Sequence, residues 1–181
     1  LSFIATAYVE ILRSTPVLVQ IFIIYYGVFG MIDLPSFQMF GFIKFNRFFP
    51  GVVALGMNSG AYLCEIIRAG IQSIDQGQTE AGLVLGMTKS QIFFKITLMQ
   101  MIKRIVPPMS NEIITLVKDT SLARIIALQE IIWAGQSFLK GSQGISGAIW
   151  PMFFAAVYYL VFNGILTVLL GRLEKKLDYF R

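Results

Sequence analysis

A chain that must house the run AIWPMFFAAVYYLVFNGILTVLLG, residues 148–171, has few folds open to it. No Asp, Glu, Lys or Arg interrupts this run. As a helix rising about 1.5 Å per residue, it is long enough to cross the roughly 30 Å hydrocarbon layer of a bilayer. Backbone in lipid must satisfy its own hydrogen bonds, and a helix does so within one segment. Three further stretches have similar character: residues 15–30, 51–73 and 105–132. Hydrophobic residues make up 56% of the 181 and charged residues 14%, too little charge to cover a water-exposed surface. The expected architecture is an all-α integral membrane protein, one domain over 1–181 with four spans.

The connections carry the polar residues. Residues 1–14 read as an interfacial lead-in or a first turn packed on protein, and 31–50 as an amphipathic loop. Residues 74–104 form the longest polar stretch, and 133–147 have the Gly and Ser content of a loop. Pro107 and Pro108 interrupt the third span. With four spans, the 74–104 loop and the tail from Arg172 share one side. Together they hold Lys89, Lys95, Lys103, Arg104, Arg172, Lys175, Lys176 and Arg181, against Lys44, Arg47 and Lys140 opposite. Basic residues accumulate on cytoplasmic loops, so 74–104 is expected in the cytoplasm of a multi-pass plasma-membrane protein.

Several chemistries are closed to this sequence. It has no His and one Cys, Cys64, which excludes His/Cys zinc sites, Ser-His-Asp and Cys-His catalysis, and an internal disulfide. An intramembrane hydrolase would need a Ser-Lys or Asp pair, for which Glu112 and Asp119 are thin support. The net charge of +5 is not arranged as a basic face interleaved with aromatics, so no nucleic-acid partner is expected. Gly86-Met87-Thr88-Lys89-Ser90 lacks the Gly-Lys pair of a phosphate loop. No catalytic residue, metal or cofactor is expected.

Charged groups at membrane depth are costly and face a cavity or a partner. On the 51–73 helix, Asn58, Tyr62, Glu65 and Ala69 share one stripe; on the third span, Glu112, Thr115 and Asp119 do the same. Glu65 has an obvious partner in Arg68, and Arg13 in Glu10, while Glu112 is within reach of Lys103 or Arg104. Asn58, Tyr62, Glu112, Thr115 and Asp119 are the candidates for a polar cavity. Such a cavity suits a small zwitterion, with a carboxylate for an ammonium and amides and hydroxyls for the other end.

The 74–104 loop contains a compact knob. Thr79 is a possible N-cap, Ala81, Leu83, Val84 and Leu85 make a short helix, and Gly86 is a natural stop. An amphipathic helix follows, with Ile92, Phe93, Ile96, Met99, Gln100 and Lys103 at helical spacing. A knob of this kind fits docking on another protein.

Glu80-Ala81-Gly82-x-x-x-Gly86, nine residues, then Ile96-x-Leu98, resembles the EAA loop of ABC importer membrane subunits, with Gly82 in place of Ala and Met99 in place of Pro. Tyr8-x-Glu10-x-x-Arg13-Ser14-Thr15-Pro16 through Gln20, Asn58-Ser59-Gly60-Ala61-Tyr62, Glu65 through Ser73, and Leu116 through Leu122 resemble segments of one branch, the polar amino acid permeases (histidine/glutamine/arginine/cystine-type). The resemblance implies a type I importer permease bundle with cytoplasmic coupling helices. It implies separate ATPase subunits that bind ATP, a second permease subunit and an extracytoplasmic solute-binding protein. Glu80, Ala81, Gly82, Gly86, Ile96 and Leu98 would then be the ATPase-coupling residues. Members of that branch have one more span, before the Y-x-E-x-x-R stretch; here it is expected to lie outside the sequence. The rival reading is a secondary transporter or channel, for which internal repeats are expected and none is seen. Asp119 suits any free ammonium, so the amino acid carried stays open, as does homo- or heterodimerisation of the permease.

Overall fold

The computed structural model describes residues 2–39, 43–137 and 146–177. Helix α1 (Ser2–Ser14) and helix α2 (Val17–Phe22) are two limbs of a bent unit that continues through a wide helical turn, Ile23–Val28, and a tight one, Phe29–Met31. The chain bends by 110° between the limbs. Pro16 causes the bend: its backbone is extended, φ −61° and ψ 135°, and it offers no N–H to the preceding turn. The carbonyls at the end of α1 therefore lose their helical partners. Gln20 replaces them, donating its side-chain amide to the Leu12 carbonyl at 2.7 Å and to the Thr15 carbonyl and hydroxyl at 2.9 Å. Gln20 is itself buried. Gln20→Ala should therefore cost about 1–3 kcal/mol by stranding those carbonyls, seen as a lower Tm of the purified protein. Residues 2–14 are thus more than a lead-in. They form a full helix against the next long one, with the Tyr8 hydroxyl donating to the Met57 carbonyl at 2.7 Å.

The expected loop at 31–50 contains a minimal hairpin, β1 (Gln38–Met39) antiparallel to β2 (Ile43–Lys44), a small exception to an all-α fold. Helix α3 (Phe45–Gln72) begins ahead of Gly51, because Phe37 stacks on Phe45 at 4.8 Å and Phe45 on Phe49 at 5.5 Å, fixing its first turns. After α4 (Gln76–Val84), the chain enters α5 (Lys89–Ile92), a wider turn at Phe93–Thr97 and α6 (Leu98–Asp119) without leaving helical backbone. This single rod runs from 89 to 119, about 46 Å at 1.5 Å per residue. One expectation changes here: Pro107 and Pro108 lie inside the helix, each removing one bond without ending it, and the amphipathic helix expected over 89–104 is the base of the same rod.

The expected third span, 105–132, is not one helix. At Asp119 the rod gives way to tight turns over Thr120–Ile126, ending at Ala127 in the left-handed region, φ 54°. Arg47 holds that corner, donating to the Ala127 carbonyl at 2.9 Å. Helix α7 (Ile131–Ser137) occupies part of the expected 133–147 loop; 138–145 lie outside the described residues. Helix α8 (Ser146–Leu177) merges the last expected span with the start of the polar tail. From Ile149 it is long and apolar enough to cross a membrane, with mean hydropathy 2.1, and the bent α1–α2 unit passes the same test as a pair. The core joins α2, α3 and the turns after Asp119: Ile21, Ile24, Ala54 and Ile126 are packed together.

Candidate functional site

The bend at Pro16, the middle of α3 and the second half of α6 line an open cavity of about 480 Å³. The bend contributes Arg13, Ser14, Thr15, Pro16 and Val17; α3 contributes Asn58 and Tyr62; α6 contributes Glu112, Thr115 and Asp119. All five residues picked out by helical phase meet here. Asn58 is 6% exposed, and its side chain makes no hydrogen bond among the described residues. Ala69, on the expected stripe, is exposed and away from the cavity, because the stripe runs past the end of the bend.

The Arg13 wall was not legible as a site. Its expected partner was Glu10, one turn back, but its Nη1 instead lies 3.5 Å from Glu65 Oε2 on α3, and its guanidinium carbon sits 5.7 Å from the Tyr62 ring centre. Glu65 does pair with Arg68, accepting from Nε at 3.0 Å and Nη2 at 2.7 Å. Arg104 donates to the Ser73 carbonyl, and Glu112 lines the cavity. The one signal for Arg13 was a cation just before a helix-breaking Pro. The cavity thus presents a guanidinium, carboxylates, an amide and hydroxyls from three segments, a donor and acceptor set for a small zwitterion. A larger cavity, about 670 Å³, lies between the end of α6 and α8, lined by Lys118, Ser121, Tyr159, Asn163 and Thr167 among others.

The knob is built by capping. Asp75, rather than Thr79, caps α4: its Oδ1 accepts from Gly77 N at 2.7 Å. At the far end Gly86 is left-handed, φ 76°, and the Gly86 and Met87 N–H groups return to the carbonyls of Leu83 (2.9 Å) and Gly82 (3.0 Å). This paired closure needs a residue without a Cβ penalty at 86. Thr88 and Gln91 then form a reciprocal cap that starts the rod. Gly82 is buried; a Cβ there would lie 2.7 Å from Ile92 Cγ1, with Ile96 close behind. That contact explains Gly where the EAA pattern has Ala. Met99, where that pattern has Pro, sits within the unbroken rod. Leu98 is half-buried at the start of α6, whereas Glu80 and Ala81 are exposed. Leu83, Val84 and Leu85 are also exposed, at 50%, 88% and 78%. Gln100 donates to Gln78 at 3.2 Å, tying knob to rod.

Residues 1–179 match the family described as "Binding-protein-dependent transport system inner membrane component". The chain is similar to the L-cystine transport system permease protein TcyB of Bacillus subtilis, 36% identical over 180 residues, covering 99% of this chain and 72% of that protein. It is 34% identical over 174 residues to the glutamine transport system permease protein GlnP of Escherichia coli, covering 96% and 74%. It is 36% identical over 174 residues to the arginine transport system permease protein ArtQ of Bacillus subtilis, covering 96% and 74%. Among solved structures it resembles the crystal structure of an amino acid ABC transporter with histidines, with TM-score 0.81 and 32% identity over 96% of this chain and 75% of that one. A match over nearly the whole chain, several relatives above 30% identity and a shared fold place this chain in the family of binding-protein-dependent transport system inner membrane components.

Proposed function

We propose that this chain is the transmembrane subunit of an ATP-driven importer that carries a polar amino acid across the plasma membrane. The observation that carries this reading is the cavity, where Arg13, Asn58, Tyr62, Glu112, Thr115 and Asp119 converge from three segments. The names of the similar permeases, for cystine, glutamine and arginine, support an amino acid as cargo. The chain crosses the membrane as a multi-pass bundle: the bent α1–α2 unit, α3, α6 and α8, with the knob in the cytoplasm.

The knob at Gln76–Val84 couples the bundle to a separate ATPase. Glu80, Ala81, Gly82, Gly86, Ile96 and Leu98 shape it, and the exposed Leu83–Leu85 tip docks. ATP is bound and hydrolysed by that partner, so this chain is a non-enzyme subunit with no cofactor of its own. Closure of the ATPases moves the knob. The rigid 89–119 rod passes that motion to Glu112, Thr115 and Asp119, and the cavity switches between sides, as alternating access requires. An external solute-binding protein delivers the amino acid, and a second permease subunit completes the path.

In the full-length permease assembled with these partners, Asp119→Asn and Asn58→Ala should each raise the KM for uptake about tenfold or more, because each removes a partner from a desolvated ligand. An unchanged KM in both variants would contradict the assignment of the cavity.

A further inference from the structure

A third cavity, about 350 Å³, lies between the rod and the end of the last helix. Lys103, Val106 and Pro107 line it from α6, and Glu174, Lys175 and Leu177 from α8. The transport cycle proposed above makes no use of it. Its depth follows from the elements that form it. Leu177 ends the helix that is long and apolar enough to cross a membrane. Lys103 and Val106 lie where the rod passes from its polar base into its apolar part. In a chain that spans a bilayer, that level belongs to the lipid headgroups. What meets an open groove there is phospholipid.

The lining narrows the choice of lipid. Two ammonium groups, Lys103 and Lys175, stand against one carboxylate, Glu174. Exposed Arg172 and Lys176 flank Lys175 on α8 and add to the positive field. This attraction needs no desolvated site: a Lys or Arg at a membrane surface raises the affinity for anionic lipid about fivefold. An ammonium carries three donors, so Lys103 can serve a phosphate beside the contact it already makes. Ionised Glu174 only accepts, which suits a headgroup with hydroxyl donors. Beyond the cavity, α8 offers a seat for an acyl chain. Ile165, Leu169, Leu173 and Leu177 follow at four-residue steps along one ridge, and the first three are half exposed. The ridge is about 18 Å long at 1.5 Å per residue, a little more than one leaflet of a roughly 30 Å hydrocarbon core.

Resting on the reading that puts the knob in the cytoplasm, we propose that this groove binds an anionic phospholipid of the cytoplasmic leaflet. The lipid has a single phosphodiester and a hydroxyl-bearing headgroup, as phosphatidylglycerol does. Lys175 and Lys103 take the phosphate, Glu174 accepts from the headgroup hydroxyls, and one acyl chain lies along the ridge from Leu177 to Ile165. The lipid thereby ties the rod to the last helix.

The test is native mass spectrometry of the full-length permease assembled with its ATPase. The complex is titrated with phosphatidylglycerol, phosphatidylethanolamine or phosphatidylcholine of matched chains. The first adduct should form at an about fivefold lower concentration of phosphatidylglycerol than of either neutral lipid. Lys175→Glu should remove that difference. Lys44→Glu, the same change of charge on β2, should preserve it. Equal binding of phosphatidylglycerol and either neutral lipid by the unaltered complex would overturn the proposal. So would an equal loss in the two variants, which would mean attraction by net charge alone. Displacement of the lipid by an equal concentration of soluble glycerophosphoglycerol would overturn the lipid assignment in favour of a free phosphate ester. Selective adducts in a complex that shows no ATP-driven uptake would leave this site standing and remove the transport reading instead. If Lys175→Glu does not assemble, Lys175→Ala takes its place, with an expected loss of about fivefold.

Discussion

Aspartate at positions 84 and 85 together should abolish co-purification of the ATPase with this permease and leave the permease's own thermal unfolding unchanged. Val84 and Leu85 are 88% and 78% exposed, so their side chains contribute little to the fold. An apolar tip held this rigidly is fit for burial in a partner. Asp75 starts α4, Gly86 stops it, and Gln78 and Gly82 fasten it to the rod through Gln100 and Ile92. Burying two such side chains is worth about 1.5–3 kcal/mol each, and burying unpaired carboxylates in their place adds a further penalty. A loss of affinity of about a hundredfold or more follows. Normal recovery of the ATPase with the Val84→Asp/Leu85→Asp variant would remove the docking role of the tip.

Gly70→Leu should prevent stable folding, with loss of both protein yield and transport. Gly70 packs α3 directly against α6: a Cβ there would run into Ile105 Cγ2 and lie 3.3 Å from Met101 Cγ. Ile105 and Met101 are themselves buried, so neither can swing clear. Overpacking of this kind costs about 1–3 kcal/mol, and a leucine at an existing clash belongs at or beyond the upper end. The same wedge would part the helix holding Asn58 and Tyr62 from the one holding Glu112, Thr115 and Asp119. Gly56→Ala on the same helix is the control: no atom lies within 4 Å of its added methyl, so yield and transport should be unaffected. Equal behaviour of the two variants in yield and Tm would mean that the α3–α6 contact does not set the fold.

Helical phase was enough to bring together most of the cavity lining. Asn58 with Tyr62, and Glu112 with Thr115 and Asp119, are spaced for one face of a helix, and polar groups that share a face of an apolar helix need a common space. Phase carries no information on which distant segment closes that space. The pairing of Arg13 with Glu65 across two helices is therefore invisible to phase, which points instead to the nearer Glu10. Local rules also competed. Pro107 and Pro108 predict a break, yet packing of Met101, Ile105 and Ser110 keeps the rod helical through them. Thr79 and Asp75 are both good caps, and Gly77 two residues after Asp75 settles the choice, since its N–H is the one capped. The stop at Gly86 was legible because a positive φ at a helix end has few other residues to serve it.

The central claim is that a separate ATPase drives this polar conduit. It is tested most directly by uptake of labelled L-lysine and L-glutamine into vesicles containing the full-length permease with its ATPase, supplied with solute-binding protein outside and ATP inside. Uptake of one of these amino acids against its gradient, lost when ATP is withheld or when the Val84→Asp/Leu85→Asp permease is used, is the expected result. Uptake that persists at the same rate without ATP or ATPase would contradict it and make the chain a secondary transporter or channel.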